Sequence, residues 1–219
     1  MSSLAEASLK LPRAEARQSD PVAPTERPPV PGSGESDLML GQTVDWRYRI
    51  ESRIGEGRGF GFILADLDRF KAFNDYYGCE RGDRVILKTA ELLSEALREA
   101  GESRGCLGHI GGDDFILICE EEKASLVAAF ATMKFDEAVP GLYDAADAAR
   151  GFIEIKDRSD TLKRHAPLSL SVAGVSSLRR PIPAYADAVR WAGEVKRWLK
   201  STRSSGPSAL AFDRRKGGV

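Results

Sequence analysis

Residues 108 to 119 read GHIGGDDFILIC, with two adjacent glycines and two adjacent aspartates set between short apolar runs. Carboxylate oxygens are preferred ligands of magnesium, and glycines without side chains let a phosphate approach the backbone. A simpler account serves the glycines alone, because a two-residue hairpin loop needs positive backbone angles. A third carboxylate, Asp66, ends the apolar run FGFILAD, and Asp68 stands two residues on. If the Asp66 strand lies beside the strand at 115–119, Asp66 meets Asp113 or Asp114 at one end of a sheet. Acidic groups gathered there repel one another unless a divalent cation sits between them, an arrangement suited to phosphoryl or nucleotidyl transfer. The alternative is that these are solvated turn aspartates that never meet.

The elements that must position these residues follow from periodicity. FGFILAD is an apolar run of strand length, DRFKAFNDYYG a short helix ended by Gly78, and GDRVILKTAELLSEALREAG a longer helix. In the longer helix Ile86, Ala90, Leu93, Leu97 and Ala100 recur every three or four residues and face one core. CLGHI, GGDD and FILIC read as strand, turn and strand. KASLVAAFATM predicts a helix, GFIEIKD and PLSLSVAGVSS strands, AYADAVRWAGEVKRWLKS a helix and SALAF a last strand. Strands separated by helices, with one tight hairpin, imply an α/β (α+β) mixed sheet with helices packed on it. Further upstream, Trp46, Ile50 and Ile54 at four-residue spacing predict an amphipathic helix closed by Gly55 and Gly57.

Residues 1–42 hold six of the 11 prolines and no aromatic residue. Such a segment buries too little apolar area to offset its ordering entropy and is expected to be a disordered tail, leaving one domain at 43–215. The chain of 219 residues is 30% charged with a net charge of -1, so no general affinity for nucleic acid follows. Its apolar runs are too short to cross a bilayer, and the N-terminus lacks a basic segment followed by an apolar one; a cytoplasmic protein is expected. Three cysteines, Cys79, Cys106 and Cys119, form no CxxC pair and suggest neither a disulfide framework nor a zinc site. They are expected to be buried or half-buried thiols. His109 reads as a strand residue with a satisfied ring, and His165 as a loop residue.

DLDRFKAFNDYYGCERGDRV followed by GHIGGDDF resembles the GGDEF family of diguanylate cyclases. The family pattern is met by Asp66, Asp68, Phe70, Lys71, Asn74, Asp75, Gly78, Gly82 and Asp83 at their fixed offsets. The resemblance implies a fold like the palm of nucleotidyl cyclases and polymerases, a central antiparallel or mixed sheet flanked by helices. It implies that Asp66, the Leu67 carbonyl and Asp113 or Asp114 ligate Mg2+ (or Mn2+), with Asp113 at the position that activates the attacking hydroxyl. Asn74 and Asp83 are implied to read the guanine edge, where an aspartate accepts from N–H groups and an asparagine both donates and accepts. Gly111 and Gly112 would leave room for the triphosphate of GTP, and Lys71 would add positive charge beside it. Lys196, Lys200 and Arg203 line one stripe of the C-terminal helix, with Trp191, Val195, Trp198 and Leu199 largely on the other side; Lys200 aligns with the family's phosphate-binding lysine.

The chain also departs from the family. Asp114 replaces the usual glutamate and is one methylene shorter. The positions of the family's Arg-x-x-Asp inhibitory site read Glu102-Ser103-Arg104-Gly105, so product inhibition through it is not expected. Arg203-Ser204-Ser205 replaces the family's Gly-Arg-Asn, and the usual N-terminal lead-in is reduced to DLMLGQTVDWR. The activity implied is condensation of two GTP molecules into cyclic di-GMP by a homodimer. The alternative is a GGDEF domain that binds GTP or a cyclic dinucleotide and regulates a protein partner.

Overall fold

The computed structural model describes residues 59–156, 160–203 and 205–216, with the secondary structure at 43–44 and 48–49. The chain divides into two units, Met1–Arg53 and Ile54–Val219. In the first, β1 (Thr43–Val44) pairs antiparallel with β2 (Tyr48–Arg49) where a helix was predicted. Threonine, valine and tyrosine favour extended backbone, and this preference prevails over a four-residue spacing that strands also tolerate. The predicted tail, 1–42, and the rest of that predicted helix up to Gly57 lie outside the described residues.

The second unit is built on a five-stranded sheet in the order β4-β5-β3-β8-β9. Its strands are β3 (Phe60–Asp68), β4 (Cys106–Gly111), β5 (Asp114–Glu120), β8 (Ser169–Ser176) and β9 (Ala209–Phe212). All pairings are antiparallel except β8 with β9. β3 lies at the centre and is buried from Gly61 to Leu67, which is why its sequence is apolar throughout rather than alternating. Its two faces meet different helices. Ile63, Ala65 and Leu67 join the core formed with α1 (Phe70–Tyr77), α2 (Cys79–Glu99) and α3 (Glu121–Ala138). Phe62 and Leu64 pack with Ile116, Val175 and the Ala188, Trp191 and Ala192 side chains of α5 (Tyr185–Ser201). A period of two along a strand then assigns Asp66 and Asp68 to the α5 face as well.

Other elements add detail to this frame. A 3₁₀ turn at Val139–Leu142 and α4 (Ala145–Arg150) precede a separate hairpin of β6 (Ile153–Lys156) and β7 (Leu162–His165). His165 is therefore a strand residue and not part of a loop. Trp198 is exposed, while Trp191, Val195 and Leu199 are buried, so it does not share their face as predicted. Two cysteines also correct the expectation: Cys79 begins α2 and Cys106 begins the edge strand β4, and both are exposed, whereas Cys119 is buried and burial pushes its thiol up to about 12.

One polar contact closes the junction between α2 and the hairpin. The Glu102 carboxylate accepts the backbone N–H groups of Arg104 (2.7 Å), Gly105 (3.0 Å) and Glu120 (2.7 Å). Burial acts to raise its pKa, but these hydrogen bonds and the nearby Lys123 hold it below the usual glutamate value of 4.5. A carboxylate depressed in this way stabilises the fold above that value and loses its contribution as pH falls through the folded pKa. Glu102→Gln should lower stability at pH 7 by about 1–3 kcal/mol in urea denaturation, with the difference from wild type shrinking below pH ~4.5.

Candidate active site

Antiparallel register sets the site. Asp66 near the end of β3 lies directly opposite Asp114 at the start of β5, and Gly111 pairs with Asp114 across the hairpin, leaving Gly112 and Asp113 as the turn. The Leu67 N–H donates to the Asp113 carbonyl at 3.1 Å, which fixes the hairpin tip to the central strand. Oxygens of Asp66, Asp113 and Asp114 consequently lie within 4.8 Å of one another, the one such acidic group among the described residues. These are hard, anionic donors of the kind that hold Mg2+ or Mn2+.

The chain places its own cations on this cluster. Lys196 Nζ lies 2.8 Å from Asp66 and 2.7 Å from Asp114. Lys200, one helical turn on, bonds Asp66 and lies 3.0 Å from Asp68. Burial acts to raise the pKa of Asp66, yet the hydrogen bonds and charges of both lysines outweigh it and hold the carboxyl below its usual range. For Asp114 burial prevails over the hydrogen bond from Lys196, the Asp66 charge adds to it, and the pKa rises. Both lysines are shifted up, because their carboxylate partners outweigh the burial that would lower them.

Asp68 also accepts the Ser169 and Ser171 hydroxyls at 2.8 and 2.7 Å. Next to it the chain turns sharply into α1 through Arg69, whose φ of 65° is left-handed. Its guanidinium compensates by donating to the Pro167 carbonyl (2.8 Å) and the Ser169 hydroxyl (2.6 Å). Asp68, Arg69, Ser169, Ser171, Lys200 and Arg203 line a cavity of about 260 Å³ beside the carboxylates. Its cations and hydroxyls match the charge and acceptor oxygens of a phosphate. Larger concavities, about 750 Å³ between α5 and β9 and about 820 Å³ beside α2, lie away from the carboxylates. Chemistry rather than size distinguishes the site.

On the far side of the Arg69 turn, the Asn74 side chain lies over Gly82. A Cβ at position 82 would come within 1.9 Å of Asn74 Oδ1. That oxygen is buried and has no hydrogen-bond partner, while Asp83, the next residue, is exposed. Lys71, by contrast, is exposed and pairs with Asp75 of its own helix at 2.8 Å; it is not joined to the acidic group. His109 is a strand residue whose Nε2 lies 3.0 Å from the Gly112 carbonyl oxygen, its ring against Phe115.

The residue that periodicity left without a role is Lys196. Its four-residue offset from Lys200 was the available signal, and what it lacked was knowledge that the Asp66 face of β3 lies under α5.

Residues 47–140 match the family model described as diguanylate cyclase, GGDEF domain. The bifunctional diguanylate cyclase/cyclic di-GMP phosphodiesterase MucR of Pseudomonas aeruginosa is 33% identical over 82 residues, covering 37% of this chain and 11% of MucR. The chain thus spans about a tenth of that relative. An uncharacterised 19.3 kDa protein of Streptomyces ambofaciens is 27% identical over 168 residues, 77% of this chain and 74% of its own length. Among solved structures, the active GGEEF domain of a diguanylate cyclase from Vibrio cholerae shares the fold, with a TM-score of 0.51 and 20% identity over 73% of this chain and 85% of that one. The mostly antiparallel sheet flanked by helices is therefore a fold this chain shares with that domain.

The hairpin glycines are separable by backbone geometry. Gly111 has φ 134° and Gly112 φ 60°, and a Cβ at either meets nothing within 4 Å. Gly111→Ala should cost about 1–3 kcal/mol, because its conformation is essentially closed to other residues. Gly112→Ala, in the left-handed helical region, should cost about 1–2 kcal/mol and less than its neighbour in the same urea titration.

Proposed function

We propose that this domain is a diguanylate cyclase, condensing two GTP molecules, one on each of two protomers, into cyclic di-GMP and pyrophosphate. The observation that carries the reading is the convergence of Asp66, Asp113 and Asp114 within 4.8 Å at the end of the central strand. Asp66, Asp113, Asp114 and the Leu67 carbonyl would hold Mg2+ or Mn2+. Such an ion, when bound, withdraws charge from the α-phosphate and stabilises the oxyanion that forms on displacement.

The chain's own groups account for the remaining work. Asp113, at the hairpin tip, accepts the proton of the 3'-hydroxyl as that oxygen attacks the α-phosphorus of the opposed nucleotide. The bond from that phosphorus to the β-phosphate oxygen breaks, pyrophosphate leaves with the electron pair, and a second round in the opposite sense closes the ring. Gly111 and Gly112 leave the turn backbone open to the triphosphate, and Lys200 with Arg203 neutralises it. Asn74 Oδ1 gains the N–H donor it lacks from the guanine edge, and Asp83 accepts a second. Because each protomer positions only one nucleotide, turnover depends on a dimer that sets two sites face to face.

A second reading is favoured by one observation: Lys196 and Lys200 already pair with the acidic group. On that reading the domain binds GTP or a cyclic dinucleotide and signals through a protein partner without turnover.

Mass spectrometry of the purified protein with GTP and Mg2+ separates the two. Cyclic di-GMP should accumulate, and Asp113→Ala should reduce it at least about 100-fold, the scale of a lost general base. GTP binding with no product at high protein concentration would favour the binding module instead. Independently of turnover, Asn74→Ala and Gly82→Ala should each weaken GTP binding up to about tenfold in calorimetry, the first by removing the acceptor and the second by displacing it. Gly82→Ala should leave the thermal midpoint nearly unchanged, since alanine suits a helix interior and the displaced group is a side chain.

A further inference from the structure

The two lysines on the acidic group are not equivalent. Lys200 bonds Asp66 and Asp68, and its side chain is 39% exposed. Lys196 is 18% exposed and bridges Asp66 and Asp114, two of the three carboxylates whose oxygens converge. A lysine ammonium and a divalent cation make the same demand on those oxygens, which is close negative charge, but at different ranges. An ammonium nitrogen rests about 2.7–2.9 Å from a carboxylate oxygen, whereas Mg2+ needs about 2.0–2.1 Å to each ligand. An ammonium held on both carboxylates offsets the negative charge that would draw a divalent ion to them, so the two cations compete for the same charge.

Its position is built into the helix. Val195 and Leu199 are buried on either side of Lys196 along α5 and fix the helix rotation, which aims position 196 at the Asp66 face of β3. The four-carbon stem that reaches the carboxylates also lets the ammonium swing away without moving the helix.

We propose that Lys196 is a tethered cation that competes with the divalent ion for Asp66 and Asp114, so that this residue sets the ion affinity of the site. The proposal rests on reading Asp66, Asp113 and Asp114 as an ion site. Its consequence is a domain that withholds its carboxylates until the ion, arriving alone or with a nucleoside triphosphate, displaces the ammonium. Loss of the lysine charge leaves Asp66 and Asp114 facing each other with less compensation, which both loosens the ion-free protein and sharpens its demand for an ion.

The test needs no nucleotide. Mn2+ alone is titrated into the full chain and binding is followed by calorimetry or by loss of the free-ion EPR signal. Lys196→Met, similar in length and uncharged, should bind at least tenfold tighter than wild type, or ~1.4 kcal/mol. Lys196→Arg, which keeps the charge, should stay close to wild type, and Asp66→Asn should abolish binding in either background. Equal affinity in wild type and Lys196→Met, with Asp66→Asn abolishing both, would overturn the role of Lys196 and leave the ion site standing. Absence of Mn2+ binding from both proteins would remove the ion site and this inference with it. Thermal melting provides a second readout where Lys196→Met is too unstable to titrate. Its midpoint should be lower than wild type without Mn2+ and rise further when Mn2+ is added, and an equal Mn2+ shift in both proteins would refute the competition.

Discussion

A single geometric constraint organises this domain: β3 must bury both faces, and its side chains alternate. The face that carries Phe62 and Leu64 under α5 is obliged to carry Asp66 and Asp68 there too. Asp66 is 5% exposed, and a carboxylate so far from water is costly unless paired. The same helix supplies the remedy. Trp191, Val195 and Leu199 dock α5 onto the sheet, and its lysines then arrive over the acidic end of the strand. Packing and charge compensation are thus one arrangement, with the apolar half of the α5 contact positioning the polar half.

A cluster of this kind is a poor way to gain stability. Charges removed from water recover little more than their desolvation cost, and apolar residues of similar size would serve the fold as well or better. The hairpin shows the same disregard for local ease, since Gly111 and Gly112 adopt angles that leave the turn bare. Asn74 Oδ1 is left without a partner a short distance along the chain. Three departures from what a stable fold would choose fall at the β3 terminus, the hairpin tip and the junction of α1 with α2. The proposed nucleotide, anionic at one end and a hydrogen-bond donor at the other, would answer all three.

Most of this was legible in the sequence because it is local. Strand β3, the hairpin and the helices α1, α2, α3 and α5 follow from apolar period and glycine stops, and the adjacency of Asp66 to the hairpin acids needed only the pairing of β3 with β5. Partner choice between distant segments was less accessible. The β6–β7 hairpin that takes His165 was not foreseen because LKRH alternates weakly and pairs only with its neighbour. Trp198 and the lysine stripe depended on how α5 rotates against β3, over a hundred residues away, and periodicity alone places both stripes of a helix without saying which one meets charge. The family model ends at residue 140 and so carries no information on α5. Glu102 likewise reads as a surface acid until Glu120 is brought to it across the β5 terminus.

The shortened acid at the fourth position of the motif can now be weighed against the lysines. Asp114 sits in register with Asp66, converges with the other carboxylates and reaches Lys196 at 2.7 Å. Losing a methylene has therefore not withdrawn it from the cluster. The cation already bonded to it is the larger change, because an ammonium held by two carboxylates offsets the negative charge that would draw another ion. Side-chain length alters where an oxygen sits, yet the Asp114 oxygen still converges with those of Asp66 and Asp113. A bound counter-charge lowers the pull of both carboxylates on an ion together, and on the proposed competition position 196 outweighs position 114 in setting the ion affinity of this site.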